Sequence, residues 1–310
     1  MNWRQDAVAL HEQGYSWREI ARRINVPKST VSDFLRKYVD EKAEAEKDRP
    51  KVLFLDVEVS PSVVVAFSRF KAFSTPDHVL KEPYMLTYAL SWAHETGVQG
   101  MAITDTMDEY DGDIDDDHGL ISSLWEYLDR ADIVVAHNAK FDRGWFNQRC
   151  IVHGLNPPSP YKLVDTLQML KKNFSLPSNG LDAAASFFGL ERKKSHSGIS
   201  LWIRCMNGDR MAIEEMLEYN MGDIVTLEQL YNKLQPWCHD LPNMALYYSD
   251  SKIRCCGCGS SNVRITNKFA YTALSKYEAV VCNECGKWSR IRRNLRSRDQ
   301  MKNTLANIIK

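Results

Sequence analysis

The sequence predicts an α/β protein: one mixed sheet flanked by helices, with a small all-α unit before it and a small β unit after it. Three observations carry this. Residues 1–40 show helical periodicity alone. From Lys51 onward, short apolar runs alternate with amphipathic stretches, as strands and helices do in α/β domains. Near the C-terminus, two C-x2-C pairs bracket strand-like segments.

At 310 residues the chain has room for two or three domains and one sizeable core. No apolar run approaches the ~20 residues that span a bilayer. Met1–Leu10 lacks the order of charged, apolar and small residues that marks a secretory signal. The expected location is therefore cytoplasmic, with no membrane partner. The formal net charge is +0, but it is unevenly spread. Residues 251–310 hold 13 Lys+Arg against 3 Asp+Glu, residues 1–50 hold 10 against 9, and residues 51–250 hold 17 against 28. A basic end on an acidic body points to a polyanion partner, and to cations wherever the acidic body meets it.

The all-α unit begins with a short helix over residues 2–13, ended by Gly14-Tyr15. Ser16 with Glu19 makes a capping box for a helix over Trp17–Ile24. Ser29 is placed to cap a third helix, Thr30–Tyr38, with Val31, Phe34 and Leu35 inward. The stretch from Ser16 to Tyr38, SWREIARRINVPKSTVSDFLRKY, resembles the helix-turn-helix of resolvase, transposase and homeodomain-like proteins. The resemblance makes Thr30–Lys37 a recognition helix, with Lys28, Ser29, Thr30, Ser32, Asp33, Arg36 and Lys37 as its exposed candidates for nucleic-acid contact. Residues 1–40 form this domain, and the charged stretch 41–50 is expected as a solvated linker or a frayed extension of the third helix.

The central domain, residues 51–240, opens on Lys51–Ser60, KVLFLDVEVS. Residues i and i+2 of a strand share a face, so Asp56 and Glu58 project together from an otherwise apolar strand. Two adjacent carboxylates call for a cation. Strands are expected at Val63–Phe67, Leu86–Ala93 and Val98–Thr104, building one side of the sheet. Asp105–Asp117, with eight acidic residues, is expected as a solvated loop. A helix over His118–Arg130, a buried strand Asp132–Ala136 and a helix from about Ala139 to Val152 follow. Asp142 then sits one turn into that helix, past a strand end, where α/β sheets collect ligands. A short strand Leu163–Thr166 precedes helices at Leu167–Asn173 and Leu181–Phe188. Glu191–Ser200 is a polar loop with Arg192, Lys193 and Lys194. The last long helix runs over Asp209–Lys233 and puts Tyr219 and Asp223 on one face. Asp223 shares a stripe with Met216 and Leu227, which suits a helix facing a polar cleft.

Three motifs now stand in order: D-x-E at Asp56–Glu58, N-x2-F-D at Asn138–Asp142, and Y-x3-D at Tyr219–Asp223. Together they resemble the DEDD superfamily of 3′→5′ exonucleases, which have a ribonuclease H-like fold. Glu218 occupies the place where the histidine subclass has His, so the chain resembles the tyrosine subclass, similar to DNA polymerase proofreading domains. The resemblance implies catalytic Asp56, Glu58, Asp142, Tyr219 and Asp223, with the four carboxylates holding two Mg²⁺ or Mn²⁺ ions. Asp56 would bridge both ions, and Asn138 would contact substrate or fix its turn. His137 and Asp165 are read as hydrogen-bonding or structural residues, and Phe141 as core.

At the C-terminus, Cys255-x2-Cys258-Gly and Cys282-x2-Cys285-Gly resemble a zinc ribbon over residues 251–294. Four thiolates would close a structural Zn²⁺ site. The fourth-ligand choice between Cys255 and Cys256 favours Cys255 by the symmetry of the pairs. Lys287–Arg293, KWSRIRR, together with Arg296, Arg298 and the tail 295–310, carries the positive excess. Trp288, Arg290, Arg292 and Arg293 are candidates for phosphate contact and base stacking. The mix of modules resembles bacteriophage nucleases, which would place the chain in a bacterial or phage-infected cytoplasm. The expectation is a metal-dependent 3′→5′ exonuclease, acting on DNA more readily than RNA. Two other readings fit the motifs less well: a transposase or integrase, which needs D-D-E spacing, and a non-catalytic DNA-binding regulator, which needs a missing carboxylate.

Overall fold

The computed structural model describes residues 3–47, 49–68, 75–106, 115–190, 198–306 and 308. The first three helices are α1 (Trp3–Glu12), α2 (Trp17–Ile24) and α3 (Lys28–Lys47). Ser16 Oγ accepts from Glu19 N at 3.4 Å while the Glu19 carboxylate accepts from Ser16 N at 3.1 Å, so the capping box starts α2. Left-handed Asn25 (φ 54) ends it and turns the chain toward α3. Ala7, Ile20, Ala21, Val31 and Leu35 are buried where the three helices meet. α3 already begins at Lys28, so Ser29 lies in its first turn rather than at the cap. It runs on through Lys47, the helical one of the two forms expected for residues 41–50.

The central domain contains β1 (Val52–Val59), β2 (Val63–Val64), β3 (Val79–Lys81), β4 (Met85–Trp92) and β5 (Gln99–Ala102). It continues with α4 (His118–Arg130), β6 (Ile133–Ala136), α5 (Ala139–Val152), β7 (Lys162–Asp165), α6 (Thr166–Asn173), α7 (Leu181–Phe188), α8 (Ile199–Met206) and α9 (Arg210–Leu234). The main sheet has the order β5-β4-β1-β6-β7. β4 runs antiparallel to β1 and β5, while β6 and β7 run parallel to β1. The expected strand at Val63–Phe67 is not in this sheet: Val63 and Val64 pair with β3 in a separate two-stranded ribbon. That strand alternates too little to bury a face, and both valines are exposed.

β1 is central, and its alternation sorts the core into two layers. Leu53, Leu55, Val57 and Val59 pack with buried residues of α4, α5 and α8. Val52 and Phe54 pack with α6, α7 and the later part of α9, including Ile224, Leu227 and Tyr231. The acidic run is divided: residues 107–114 lie outside the described residues, as does the basic loop 191–197. Its last member, Asp117, is fully buried, contrary to the expected solvated loop. It accepts from Met85 N at 2.7 Å, pairs with Arg149 at 2.7 Å and meets His153 Nε2 at 2.5 Å. Arg149, on α5, and His153, just past its end, lie four apart on one face, so this one carboxylate ties α4, α5 and β4 together.

The C-terminal unit comprises β8 (Val263–Tyr271), β9 (Lys276–Cys282), β10 (Trp288–Arg290) and α10 (Arg298–Lys302). Its antiparallel sheet has the order β10-β9-β8. It is fastened to the end of α9. Lys287 Nζ donates to the carbonyls of Gln235 (2.9 Å) and Cys238 (2.5 Å), and Met244 N donates to Cys256 O at 3.0 Å. Gly257 is needed at this seam, because a Cβ there would lie 2.6 Å from Lys287 Cδ and 2.9 Å from Gln235 Nε2. Among the described residues, no helix is long and apolar enough to cross a membrane.

Candidate active site

The even-numbered face of β1 changes character along its length. Val52 and Phe54 lie under α9 as core, while Asp56 and Glu58 are the only residues of the strand that keep partial exposure. α9 crosses the same face and delivers Asp223. One carboxylate oxygen from each of Asp56, Glu58 and Asp223 falls within 4.8 Å of the others. Tyr219 stands one turn before Asp223 and is half-buried. The close approach of α9 follows from the residues beside Asp56. Ala89 pairs with Asp56 across β4, and Gly100 pairs with Ala89 across β5. A Cβ at Gly100 would lie 2.8 Å from Leu217 Cδ1 and 3.0 Å from Met221 Cγ, so the small row leaves the helix its seat.

Asn220 was not anticipated from the sequence. It is fully buried and donates from Nδ2 to Asp56 Oδ2 at 2.5 Å, while its Oδ1 accepts from Thr87 Oγ1 at 3.3 Å. Thr87 is itself fully buried and pairs with Glu58 across β1 and β4. The amide thus joins helix, strand and carboxylate in one chain of hydrogen bonds. A signal was present: Asn220 shares the apolar stripe of Met216 and Ile224, the same anomaly that marks Asp223.

Asp142 is brought to the site but stands outside the close group of three. It is almost completely buried, and its Oδ1 accepts from the backbone N of Val57 at 3.2 Å, between the two acidic residues of β1. Burial, then the charge of Asp56 and to a lesser degree Glu58, holds its carboxyl well above the usual carboxylate range, against the opposing pull of its backbone hydrogen bonds. Clustered carboxylates of this kind repel one another until a cation joins them. Their hard oxygens suit Mg²⁺ or Mn²⁺.

Residues 89–235 match the model of the RNase H superfamily, and residues 3–47 match that of a homeodomain-like domain. The central domain is ribonuclease H-like. No curated protein matches the chain. The superfamily match begins inside β4, and strand pairing adds β1, with Asp56 and Glu58, to the centre of the ribonuclease H-like sheet. The two matches point to a nucleic-acid hydrolase as the class of activity and to nucleic acid as the partner.

Around the acidic group of the ribonuclease H-like fold, the neighbours divide by role. Asn138 is exposed and left-handed (φ 67) where β6 turns into α5, and its N donates to Asp165 Oδ1 at 3.0 Å. Asp165 also accepts from Leu167 N and Gln168 N, capping α6. His137 Nδ1 meets Thr166 Oγ1 at 2.9 Å. Phe141, expected in the core, is instead 45% exposed. The turn that points Asp142 inward rotates Phe141 outward, into a groove it lines with Trp145, Trp202 and Pro61.

On α3 of the homeodomain-like unit, Lys28, Ser29, Thr30, Arg36 and Lys37 are exposed and Ser32 is half-buried. Arg36 reaches Asp33 at 4.0 Å. In the C-terminal unit, the sulfurs of Cys255, Cys258, Cys282 and Cys285 all lie within 4.8 Å of one another. Cys255–Cys285 and Cys258–Cys282 are each 3.6 Å apart. A tetrahedral ion with Zn–S of about 2.3 Å sets sulfurs about 3.8 Å apart, so the cluster fits zinc. Contact with Cys258 pulls the Cys255 thiol down to about 4, and the same contact pushes Cys258 up. Cys256 takes no place in the cluster; its Sγ lies 3.1 Å from Ser289 Oγ. Trp288, Arg290, Arg292 and Arg293 are exposed.

Proposed function

We propose that the ribonuclease H-like domain is a divalent-metal-dependent 3′→5′ exonuclease that releases nucleoside 5′-monophosphates, with DNA favoured over RNA. The observation that carries this is the convergence of Asp56, Glu58 and Asp223 within 4.8 Å, from segments more than a hundred residues apart. Asp142, bonded to Val57 N between Asp56 and Glu58, and Tyr219, one turn before Asp223 on α9, are the other residues that the three motifs name. The favouring of DNA rests on the homeodomain-like unit, since a helix-turn-helix reads duplex DNA in its major groove.

When bound by these carboxylates, two Mg²⁺ or Mn²⁺ ions would supply an activated water and charge relief at the leaving oxygen. Asp56, Glu58 and Asp223 would hold the ion nearer the water, and Asp56 and Asp142 the other. The water oxygen bonds to the terminal phosphorus, and the bond to the 3′ oxygen of the penultimate nucleotide breaks. That oxygen takes up a proton, and the terminal nucleotide leaves with its 5′-phosphate. Tyr219 orients the water through its hydroxyl; a phenol that titrates near 10 is a poor free base at neutral pH. Asn220 keeps Asp56 from rotating. The cysteine cluster is a closed structural zinc site, and α3 and the basic C-terminal unit bind the substrate polyanion.

The test uses single- and double-stranded DNA and RNA labelled at either end, with Mg²⁺ or Mn²⁺. Stepwise shortening from the 3′ end is expected, falling at least about a thousandfold in Asp56→Ala and Asp223→Ala. Undiminished hydrolysis in both variants overturns the assignment. Shortening from the 5′ end overturns the polarity.

A further inference from the structure

We propose that the open face of the C-terminal sheet is a platform for single-stranded nucleic acid, built from Arg264, Tyr277, Trp288 and Arg290. It rests on the proposed function only for the choice of a nucleic-acid ligand. In the sequence, KWSRIRR reads as one basic run. Strand alternation divides it. Lys287 turns inward to clamp Gln235 and Cys238, and Ser289 turns toward Cys256. Trp288 and Arg290 turn outward, and Trp288 keeps 53% of its surface exposed.

Directly paired residues of antiparallel strands project to the same face. Val281 pairs with Trp288 on one side and Arg264 on the other, and Ala279 pairs with Arg290. Tyr277, two residues before Ala279, belongs to this face as well, and the Arg290 guanidinium lies over its ring at 3.9 Å. The face therefore has a floor of small apolar residues, Ala279 and Val281. Two aromatic rings stand on it about 14 Å apart along the strand, Tyr277 with Arg290 stacked on it and Trp288 facing Arg264 across Val281.

The chemistry selects an unpaired polyanionic strand. An exposed indole stacks on any base whose faces are free, and in a duplex those faces are already covered by neighbouring pairs. Guanidinium groups grip phosphates, and Arg290 is held in place by its stack on Tyr277 before any ligand arrives. Residues 251–310 carry 13 Lys+Arg against 3 Asp+Glu, which complements a phosphate backbone. The platform is also fixed to the nuclease body. Lys287 fastens it to the end of α9, the helix that carries Asp223. A strand bound there is held at a set position relative to the carboxylates.

The experiment measures fluorescence anisotropy of labelled oligo-dT and of a labelled hairpin duplex. It uses full-length protein carrying Asp56→Ala and Asp223→Ala, with no divalent cation added. Hydrolysis plays no part, so failure of the exonuclease assignment leaves this reading untouched. Adding Arg264→Ser, Trp288→Ala and Arg290→Ser is expected to weaken oligo-dT binding at least about tenfold. The slope of log affinity against log salt should flatten by about 1. Duplex affinity should stay within about twofold. Single Trp288→Ala, at an exposed site that does not endanger the fold, should move oligo-dT binding in the same direction by about threefold or more. Oligo-dT affinity unchanged in both variants, or equal losses for single strand and duplex, overturns the proposal.

Discussion

The carboxylate group and the cysteine cluster each gather side chains suited to a cation, but they are assembled in opposite ways. The cysteines come from two short turns joined by one hairpin, and their sulfurs face inward. The carboxylates come from a strand and a helix that meet only because Ala89 and Gly100 leave room for α9. All four sulfurs are crowded against one another in a small three-stranded sheet that meets the central domain at the end of α9. The acidic group sits on a sheet with a core on both faces. On the proposed function, one cluster would depend on its ion for shape, whereas the other would have its shape already and need the ion for chemistry. Structural zinc sites and hydrolytic sites divide in this way generally.

The largest way to break that comparison is to remove a thiol. Cys258→Ser should abolish stoichiometric zinc and unfold the C-terminal sheet, since a structural zinc site contributes ~10 kcal/mol or more to the folding of so small a unit. Hydrogen exchange should show amides of Val263–Cys282 losing protection, while those of β1 and β4 keep theirs. Asp223→Ala should do neither. Retained protection in the zinc-free sheet would sink the idea that the ion gives this unit its shape.

A smaller effect is expected at Asn220, where the comparison is sharpened from the other side. If the fold shapes the acidic site in advance, the buried amide is part of that shape. Asn220→Ala should lower kcat about 10- to 100-fold, the range for residues that hold a metal ligand in place. KM for the nucleic acid should change little. Manganese binding, followed by electron paramagnetic resonance, should weaken in step. Thr87→Val, which removes the hydroxyl that orients Asn220, should act in the same direction but less. Unchanged metal affinity and kcat in Asn220→Ala would leave the amide as core filling only.

The difference between the regions also explains what could be read from the chain. The cysteine pairs are local, so their spacing was enough to predict the cluster. The strand bearing Asp56 and Glu58, the helix bearing Asp142 and the face shared by Tyr219 and Asp223 were each legible because periodicity is local too. Contacts across the fold were not. Nothing near Asn220 in the chain names Thr87 or Asp56 as its partner. Asp117 read as solvent-exposed because Arg149 and His153, which bury it, lie beyond the next strand. KWSRIRR read as one basic run, and nothing near Lys287 in the chain names the carbonyls of Gln235 and Cys238 that draw it inward. Val63 and Val64 looked like sheet strands, yet had no neighbour on the main sheet to pair with.

The smallest expected effect concerns Asp142, and it turns on the sign of a linkage. Burial and the neighbouring Asp56 charge keep this carboxyl protonated in the folded, metal-free protein to a higher pH than in the unfolded chain. Between those two values the folded state holds more protons, so its stability falls as pH rises. Asn cannot ionise and escapes that fall. Asp142→Asn should therefore be inactive as a nuclease yet melt about 2 °C higher than the parent at pH 8, with no divalent cation added. The gain should shrink as pH falls toward ~4 and vanish near pH ~2.5, well below the ~3.9 at which the unfolded carboxyl titrates. Saturating Mg²⁺ should reverse the order, because the parent gains binding energy that the variant has lost. Equal melting at both pH values would show that the site carries no electrostatic strain before the ion binds. In that case the acidic group would not be a preformed cation site, and its contrast with the cysteine cluster would rest on packing alone.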